Sequence, residues 1–192
     1  MTTAAPFIYL VGYPGVGKQT VAHILAKSIP DSRVISNHLI IDLARSIFRH
    51  GSREYEEMRS KLRKAMLESI VESEIVKGTT FIFTGAHGTT NPISKVIAGE
   101  FPPAAEKRGS KFIPVILTCD REEQMQRLVS PGRLNPGENK TPKLIDQAGL
   151  ARILDSGPCF RFNTEDELLL DTTGKTAEEV AQIILDYVNQ KK

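Results

Sequence analysis

Between Gly12 and Lys18 the chain reads Gly-Tyr-Pro-Gly-Val-Gly-Lys, which satisfies the spacing G-x-x-x-x-G-K. Glycines at such positions let successive backbone N–H groups turn inward, so the turn becomes a concave nest for an anion. A helix opening directly behind the turn adds partial positive charge, and a lysine at its start neutralises the outer phosphates of a nucleoside triphosphate. Gly12, Gly15, Val16, Gly17, Lys18, Gln19 and Thr20 are therefore the candidate cofactor-binding residues, with Lys18 also a candidate catalytic group. The alternative is a glycine-rich strand-to-helix turn with an incidental lysine. Gln19 stands where the motif calls for a serine or threonine to hold Mg²⁺, and the nearest hydroxyl, on Thr20, is displaced by one place.

The elements around this turn have to position it. Phe7–Val11 is a continuous apolar run ended by Gly12, the mark of a buried parallel strand. Behind the turn, Val21, Ile24 and Leu25 recur at helical spacing until Pro30. A short strand is expected over 33–36 and a helix over 38–48. Residues 53–77 are expected as a long helix with Met58, Leu62, Met66 and Ile70 on its apolar stripe and Gly78 as a left-handed C-cap. A strand over 79–84 follows, then Asn91-Pro92 as N-cap and first helical residue. Pro102-Pro103 splits that helix before Gly109. Residues 112–118 read as strand, 121–129 as helix and 142–154 as helix. A last strand over 167–172 leads into a capping box at Thr176 and Glu179, with Val180, Ile183, Ile184 and Tyr187 as the apolar face. Five strands alternating with helices predict an α/β fold of three layers, a five-stranded parallel sheet flanked by helices. The stretch 130–143, rich in Pro, Gly and Asn, is the candidate for a short lid, placed at about 130–150.

With its strand–turn–helix setting, G-x-P-G-x-G-K-x-T resembles the P-loop of adenylate kinases, which also lack the first hydroxyl. That resemblance implies that Thr20 contacts a phosphate and that Mg²⁺ is held largely through water. Val115–Asp120 followed by Arg127-Leu128, and Leu169-Leu-Asp-Thr-Thr-Gly174, extend the likeness over most of the chain. It is similar to the small-molecule kinase branch of P-loop proteins, with shikimate kinase, gluconate kinase and chloramphenicol phosphotransferase among the relatives. Asn37–Ile40, Phe81–Thr84 and Leu117–Asp120 bring it nearer still to kinase-like ATPases of unassigned substrate. The resemblance implies ATP and Mg²⁺ as cofactors and a P-loop NTPase fold.

On the acceptor side those relatives carry an Asp just after the second strand, where this chain reads Ser36-Asn37-His38. A histidine can serve as general base near neutral pH, and Asp42, four residues on, can orient it. The competing reading makes Asn37 a helix N-cap and His38 a surface residue. Thr84–Gly88 stands where shikimate-kinase-like proteins bring glycines close to substrate, with His87 a second candidate for substrate contact. Asp120, at the end of the fourth strand, is a weak metal candidate and otherwise an N-cap. Arg127 and Arg133 flank the start of the lid and Arg152 follows it, so a closing lid could bring a guanidinium onto the transferring phosphoryl group. Arg45, Arg49, Arg53 and Arg59 fall in the acceptor region, where Glu54, Glu56 and Glu57 dilute their charge and a solvated face is expected.

At 192 residues, with roughly 150 per domain as a guide, the chain is expected to form one domain. Lys and Arg total 25 against 23 for Asp and Glu, without the basic excess of a nucleic-acid or membrane-surface module. Cys119 and Cys159 stand apart, so neither a disulfide framework nor a structural zinc site is expected. No targeting or membrane-spanning segment is visible, and the expectation is a cytoplasmic protein. The function expected is ATP-dependent phosphoryl transfer to a small-molecule acceptor, with no nucleic-acid or membrane partner. The acceptor and the oligomeric state are left open. The alternatives are a nucleotide-binding switch ATPase with little chemistry and a nucleic-acid end kinase. The pocket between 37–59 and 85–88 discriminates among acceptors: an apolar lining with one hydrogen-bonding group points to an antibiotic-like or nucleoside substrate, whereas two convergent arginines point to a carboxylate or phosphate.

Overall fold

The computed structural model describes residues 4–130 and 146–191. In chain order the elements are β1 (Ala4–Val11), α1 (Lys18–Ser28), β2 (Ser32–Ile35), α2 (Asn37–Arg45), α3 (Arg53–Glu72), β3 (Thr80–Gly85), α4 (Pro92–Ala98), α5 (Phe101–Arg108), β4 (Ser110–Thr118), α6 (Arg121–Leu128), α7 (Gln147–Asp155), β5 (Leu168–Asp171) and α8 (Ala177–Gln190). The five strands are parallel, in the order β2-β3-β1-β4-β5. From β1 the chain crosses to β2 and returns to β3 on the same side, then crosses β1 to reach β4. The order therefore reverses between β1 and β3, whose carboxyl ends form the crevice where open α/β sheets take ligands.

β1 is apolar throughout because both of its faces are covered. Alternate residues point to opposite faces. Ile8 and Leu10 join an aliphatic core with Val21 and Leu25 of α1 and Val180 and Ile184 of α8. Phe7, Tyr9 and Val11 join an aromatic core with Phe81 and Phe83 of β3, Leu67 and Ile70 of α3, and Phe101 of α5. Tyr9 stacks on Phe101 with ring centroids 4.1 Å apart. Among the described residues no helix is long and apolar enough to cross a membrane.

Arg108, only 1% exposed, closes the sheet at the end opposite the crevice. Its Nη1 donates to the Ala5 carbonyl (2.7 Å) and Ser110 Oγ (2.8 Å), while Nη2 donates to the carbonyls of Val76, Lys77 (3.1 Å) and Thr79 (3.1 Å). The guanidinium carbon lies 5.1 Å from the Phe7 ring centroid and 5.2 Å from that of Phe81. A buried cation is tolerated when dipoles surround it, and here main-chain carbonyls and two aromatic faces do so.

This cation accounts for one departure from the sequence pattern. The long helix stops at Glu72, with Ser73 extended, and Gly78 is not left-handed. Residues 73–79 instead form a turn whose carbonyls face Arg108. The buried stripe of α3 is also rotated from the expected one. Tyr55, Arg63, Leu67, Ile70 and Val71 are buried, whereas Met58, Leu62 and Met66 are only partly so. The second helix ends at Arg45, short of Phe48, and its N-cap is Ser36, not Asn37. In α8 the capping box is present, but Ile183 is 37% exposed and Ala181 and Val188 complete the buried face. The helix after Asn91-Pro92 is split before Gly109 as expected, but the break falls at Gly99-Glu100, with Pro102 and Pro103 in the first turn of α5; Gly109 ends that helix in the left-handed region. The lid expected at about 130–150 falls largely outside the described residues, as does Arg133.

Replacing Arg108 by Ala removes a donor shared by four carbonyls and Ser110 and empties the space beside the Phe7 and Phe81 rings, and the expected loss is about 3 kcal/mol. Urea unfolding of Arg108→Ala against the parent protein measures it, with no change expected in nucleotide affinity of the folded fraction.

Candidate active site

The turn between β1 and α1 is a cradle that glycine alone can form. Gly15 and Gly17 have φ of 98° and 91°. A Cβ at Gly12 would lie 2.6 Å from the Leu117 carbonyl oxygen, and one at Gly15 would lie 2.8 Å from that of Gln124. At Gly17 no atom comes within 4 Å, so the space before the α1 amides is open for a ligand. Gln124 Nε2 donates to the Pro14 carbonyl (2.7 Å) and fastens the turn to α6. Lys18 Nζ donates to the Tyr13 carbonyl (3.0 Å). The Tyr13 hydroxyl donates to the carbonyls of Gly157 (2.9 Å) and Pro158 (3.0 Å), tying the turn to the chain leaving α7. That returning segment also pairs with the exit of β3. Gly88 and Cys159 form an antiparallel bridge, and the Phe160 amide donates to the His87 carbonyl (2.8 Å).

Two hollows flank the turn. On the α8 side lies an open cleft of about 390 Å³, lined by Gly15–Gly17, Thr20, Arg127, Thr172 and Lys175. On the other side a narrower cavity of about 180 Å³ opens at the carboxyl ends of β2 and β3. The Gly12 amide donates to the Gly85 carbonyl (3.2 Å), so the wall of the cradle and the wall of the cavity are joined by one hydrogen bond.

The cavity is polar on an aromatic floor. Tyr9, Phe83 and Phe101 form the floor; Asn37, Thr84, His87, Glu56, Arg59 and Arg63 supply polar groups. The Tyr9 hydroxyl is hydrogen-bonded to His87 Nε2. A Cβ at Gly85 would overlap that hydroxyl and stand 2.7 Å from the imidazole nitrogen, so the pair requires a glycine there. Burial holds Tyr9 well above the usual phenol range. Burial, then the positive charges of Arg63, Lys18 and Arg59, pull His87 down to about 4. Both partners are thus neutral at pH 7. Arg63, 6% exposed, is gripped by Glu100, and Arg59 Nη1 contacts both carboxylate oxygens of Glu56 (3.2 and 2.9 Å).

A family model described as an AAA domain matches residues 8–146. The chain belongs to this family. Solved structures similar to the AAA-domain chain include a tunicamycin resistance protein from Deinococcus radiodurans, 20% identical, covering 96% of this chain and 95% of that one with a TM-score of 0.61. A sugar kinase from Janibacter sp. is 16% identical over 96% and 95%, with a TM-score of 0.62. A shikimate kinase from Acinetobacter baumannii, solved with shikimate, is 20% identical over 99% and 96%, with a TM-score of 0.58. At these identities the likeness establishes the fold, that of P-loop small-molecule kinases. No curated protein matches in sequence.

The AAA-domain chain places the sequence-derived candidates unevenly. Gly12, Gly15, Val16, Gly17 and Lys18 form the cradle. Gln19 turns along α1 to His23 (2.8 Å), and Thr20 is exposed beside the open cleft. His38 and Asp42 do not line the cavity; Asn37 and Ile40 do. The reason is angular: three residues along α2 returns to the same face, and one or five does not. Asp42 Oδ1 is buried without a hydrogen-bond partner. Asp120 caps α6, its Oδ1 accepting from the amides of Glu122 (2.8 Å) and Glu123 (3.2 Å). Arg127 is held by Thr172 Oγ1 (3.2 Å), the carbonyls of Thr172 (2.9 Å) and Lys175 (3.1 Å), and Glu123, so it lines the open cleft from a fixed position. Arg152 is exposed and near Asp146. Arg59, expected on a solvated face, instead lines the cavity. Arg63 was missed, and its signal was a charge at an α3 position in phase with Leu67 and Ile70.

His87 sets an acid limit. The unfolded chain takes up a proton near pH 6.5 that the folded chain refuses until about 4, so stability falls as pH drops through that window, by up to about 3 kcal/mol. Urea unfolding across pH 7 to 4 should show this slope, and His87→Gln should flatten it.

Proposed function

We propose that this chain is an ATP-dependent phosphotransferase that moves the γ-phosphoryl group to a small-molecule acceptor. The observation that carries the reading is the joint from Gly12 to Gly85, which sets the glycine cradle and a polar cavity side by side at the switch point of the sheet. The amides of residues 15–18 and the Lys18 ammonium hold the β- and γ-phosphates. The cleft bounded by Thr172, Lys175 and Arg127 takes the nucleoside end. The cavity on the other side takes the acceptor, with its reacting hydroxyl or phosphate toward Lys18.

Among the described residues no cluster of three or more His, Cys, Asp or Glu converges to bind a metal. That fits Mg²⁺ carried in by the nucleotide, with phosphate and water oxygens and the Thr20 hydroxyl as ligands. Bound so, it would supply charge neutralisation on the phosphates. What remains for the chain is placement and electrostatics, which dominate phosphoryl transfer. The aromatic floor limits water around the acceptor, and Lys18 stabilises negative charge on the transferring group. The neutral Tyr9–His87 pair shapes the wall without adding charge.

Lys18→Ala should lower acceptor-dependent ADP release by at least about 100-fold, with the melting temperature little changed. Unchanged turnover in this variant would sink the assignment.

A further inference from the structure

Arg59 and Arg63 stand one helical turn apart on α3, and both line the 180 Å³ cavity. Neither guanidinium is fully used by the protein. Glu100 takes Nε and Nη2 of Arg63, so Nη1 lies outside that pairing. Glu56 takes only Nη1 of Arg59, whose Nε is buried with no acceptor. Arg59 Nη2, like Nη1 of Arg63, has no acceptor among the described residues, and a charged donor on a cavity wall gains a strong hydrogen bond when a ligand brings an oxyanion to it. The Tyr55 ring, 5.2 Å from the guanidinium carbon of Arg59, keeps that head in place. Glu56 is the one carboxylate lining the cavity among the described residues, and Arg59 already engages it. Asn37 and Thr84 offer an amide and a hydroxyl beside the arginines, matched to hydroxyl groups. The volume is below the roughly 300–1,000 Å³ of sites for drug-sized ligands, so the occupant is small.

We infer that the acceptor is a small hydroxyl-bearing anion whose oxyanion head, carboxylate or phosphate, docks on the free donors of Arg59 and Arg63. The assignment rests on the phosphotransferase reading, which makes this cavity the acceptor site. A neutral polyol of the same size brings hydroxyl acceptors but no charge to the two guanidinium heads, so it forgoes the charge-assisted hydrogen bonds that favour an oxyanion there. Planar, forked guanidinium heads favour oxyanions in bidentate contact, and lysine would not replace them.

The test uses the full chain saturated with Mg²⁺ and a non-hydrolysable ATP analogue, so that the cradle is filled and added anions cannot report from it. Calorimetry then compares short hydroxy acids, phosphate monoesters of the corresponding alcohols, and the uncharged polyols themselves. At least one anionic series should bind about tenfold or more tightly than its neutral counterpart, and the series that does so identifies the head group. Arg63→Gln would strand Glu100, so Arg59→Gln carries the mutational arm: it should erase the discrimination while the analogue still binds. Equal affinity for anions and polyols, no binding by any member of the panel, or discrimination retained in Arg59→Gln would overturn the assignment and leave the phosphotransferase reading standing. No heat from the analogue itself would overturn both.

Discussion

Where β1 gives way to the cradle, the Gly12 amide still reaches across to Gly85, and that last rung of the β1–β3 ladder governs much else. At the same point the Tyr9 hydroxyl and the His87 imidazole fill the place of a side chain at residue 85. Tyr9 and His87 then couple the aromatic core to the cavity wall, and the cradle inherits the rigidity of the sheet through its first residue. Pre-organisation of this kind lets a backbone nest bind charge without reorganising.

The molecule deals with positive charge in three ways. Arg108 is solvated internally by carbonyls and ring faces. Arg63 is matched to Glu100 while lining the cavity, and Arg59 is only partly matched. Lys18 rests on the Tyr13 carbonyl at the open mouth. Among these four cations the degree of internal compensation falls from the closed end of the sheet toward the crevice, whereas Arg127 on the cleft wall is held by several partners. Burial first keeps the His87 imidazole neutral, and the cations nearest the crevice, Arg63, Lys18 and Arg59, add to that pull.

The cradle was legible because its determinants are local: positive φ at glycines, a strand before and a helix behind. The layers and the five-stranded parallel sheet followed from continuous apolar runs alternating with helices, whereas the strand order rests on pairings between distant segments. The cavity at the ends of β2 and β3 was not legible in the same way. The Tyr9–His87 contact joins residues 78 positions apart, and the Arg63–Glu100 pair joins residues 37 apart. Neither leaves a spacing signal. His38 and Asp42 satisfy a local rule, i and i+4, that is silent on which way α2 faces. The rotated stripe of α3 has the same origin: a face shared between an aromatic core and a polar cavity accepts an arginine where periodicity alone wants a methionine.

The setting of Arg108 has a further consequence. Four of its five acceptors are main-chain oxygens, on residues 5, 76, 77 and 79. Every amino acid carries such an oxygen, so the clasp does not depend on which side chains stand at those four positions. Mutational drift is permitted around the guanidinium and forbidden at it, which concentrates the fragility of that whole end of the molecule in a single codon.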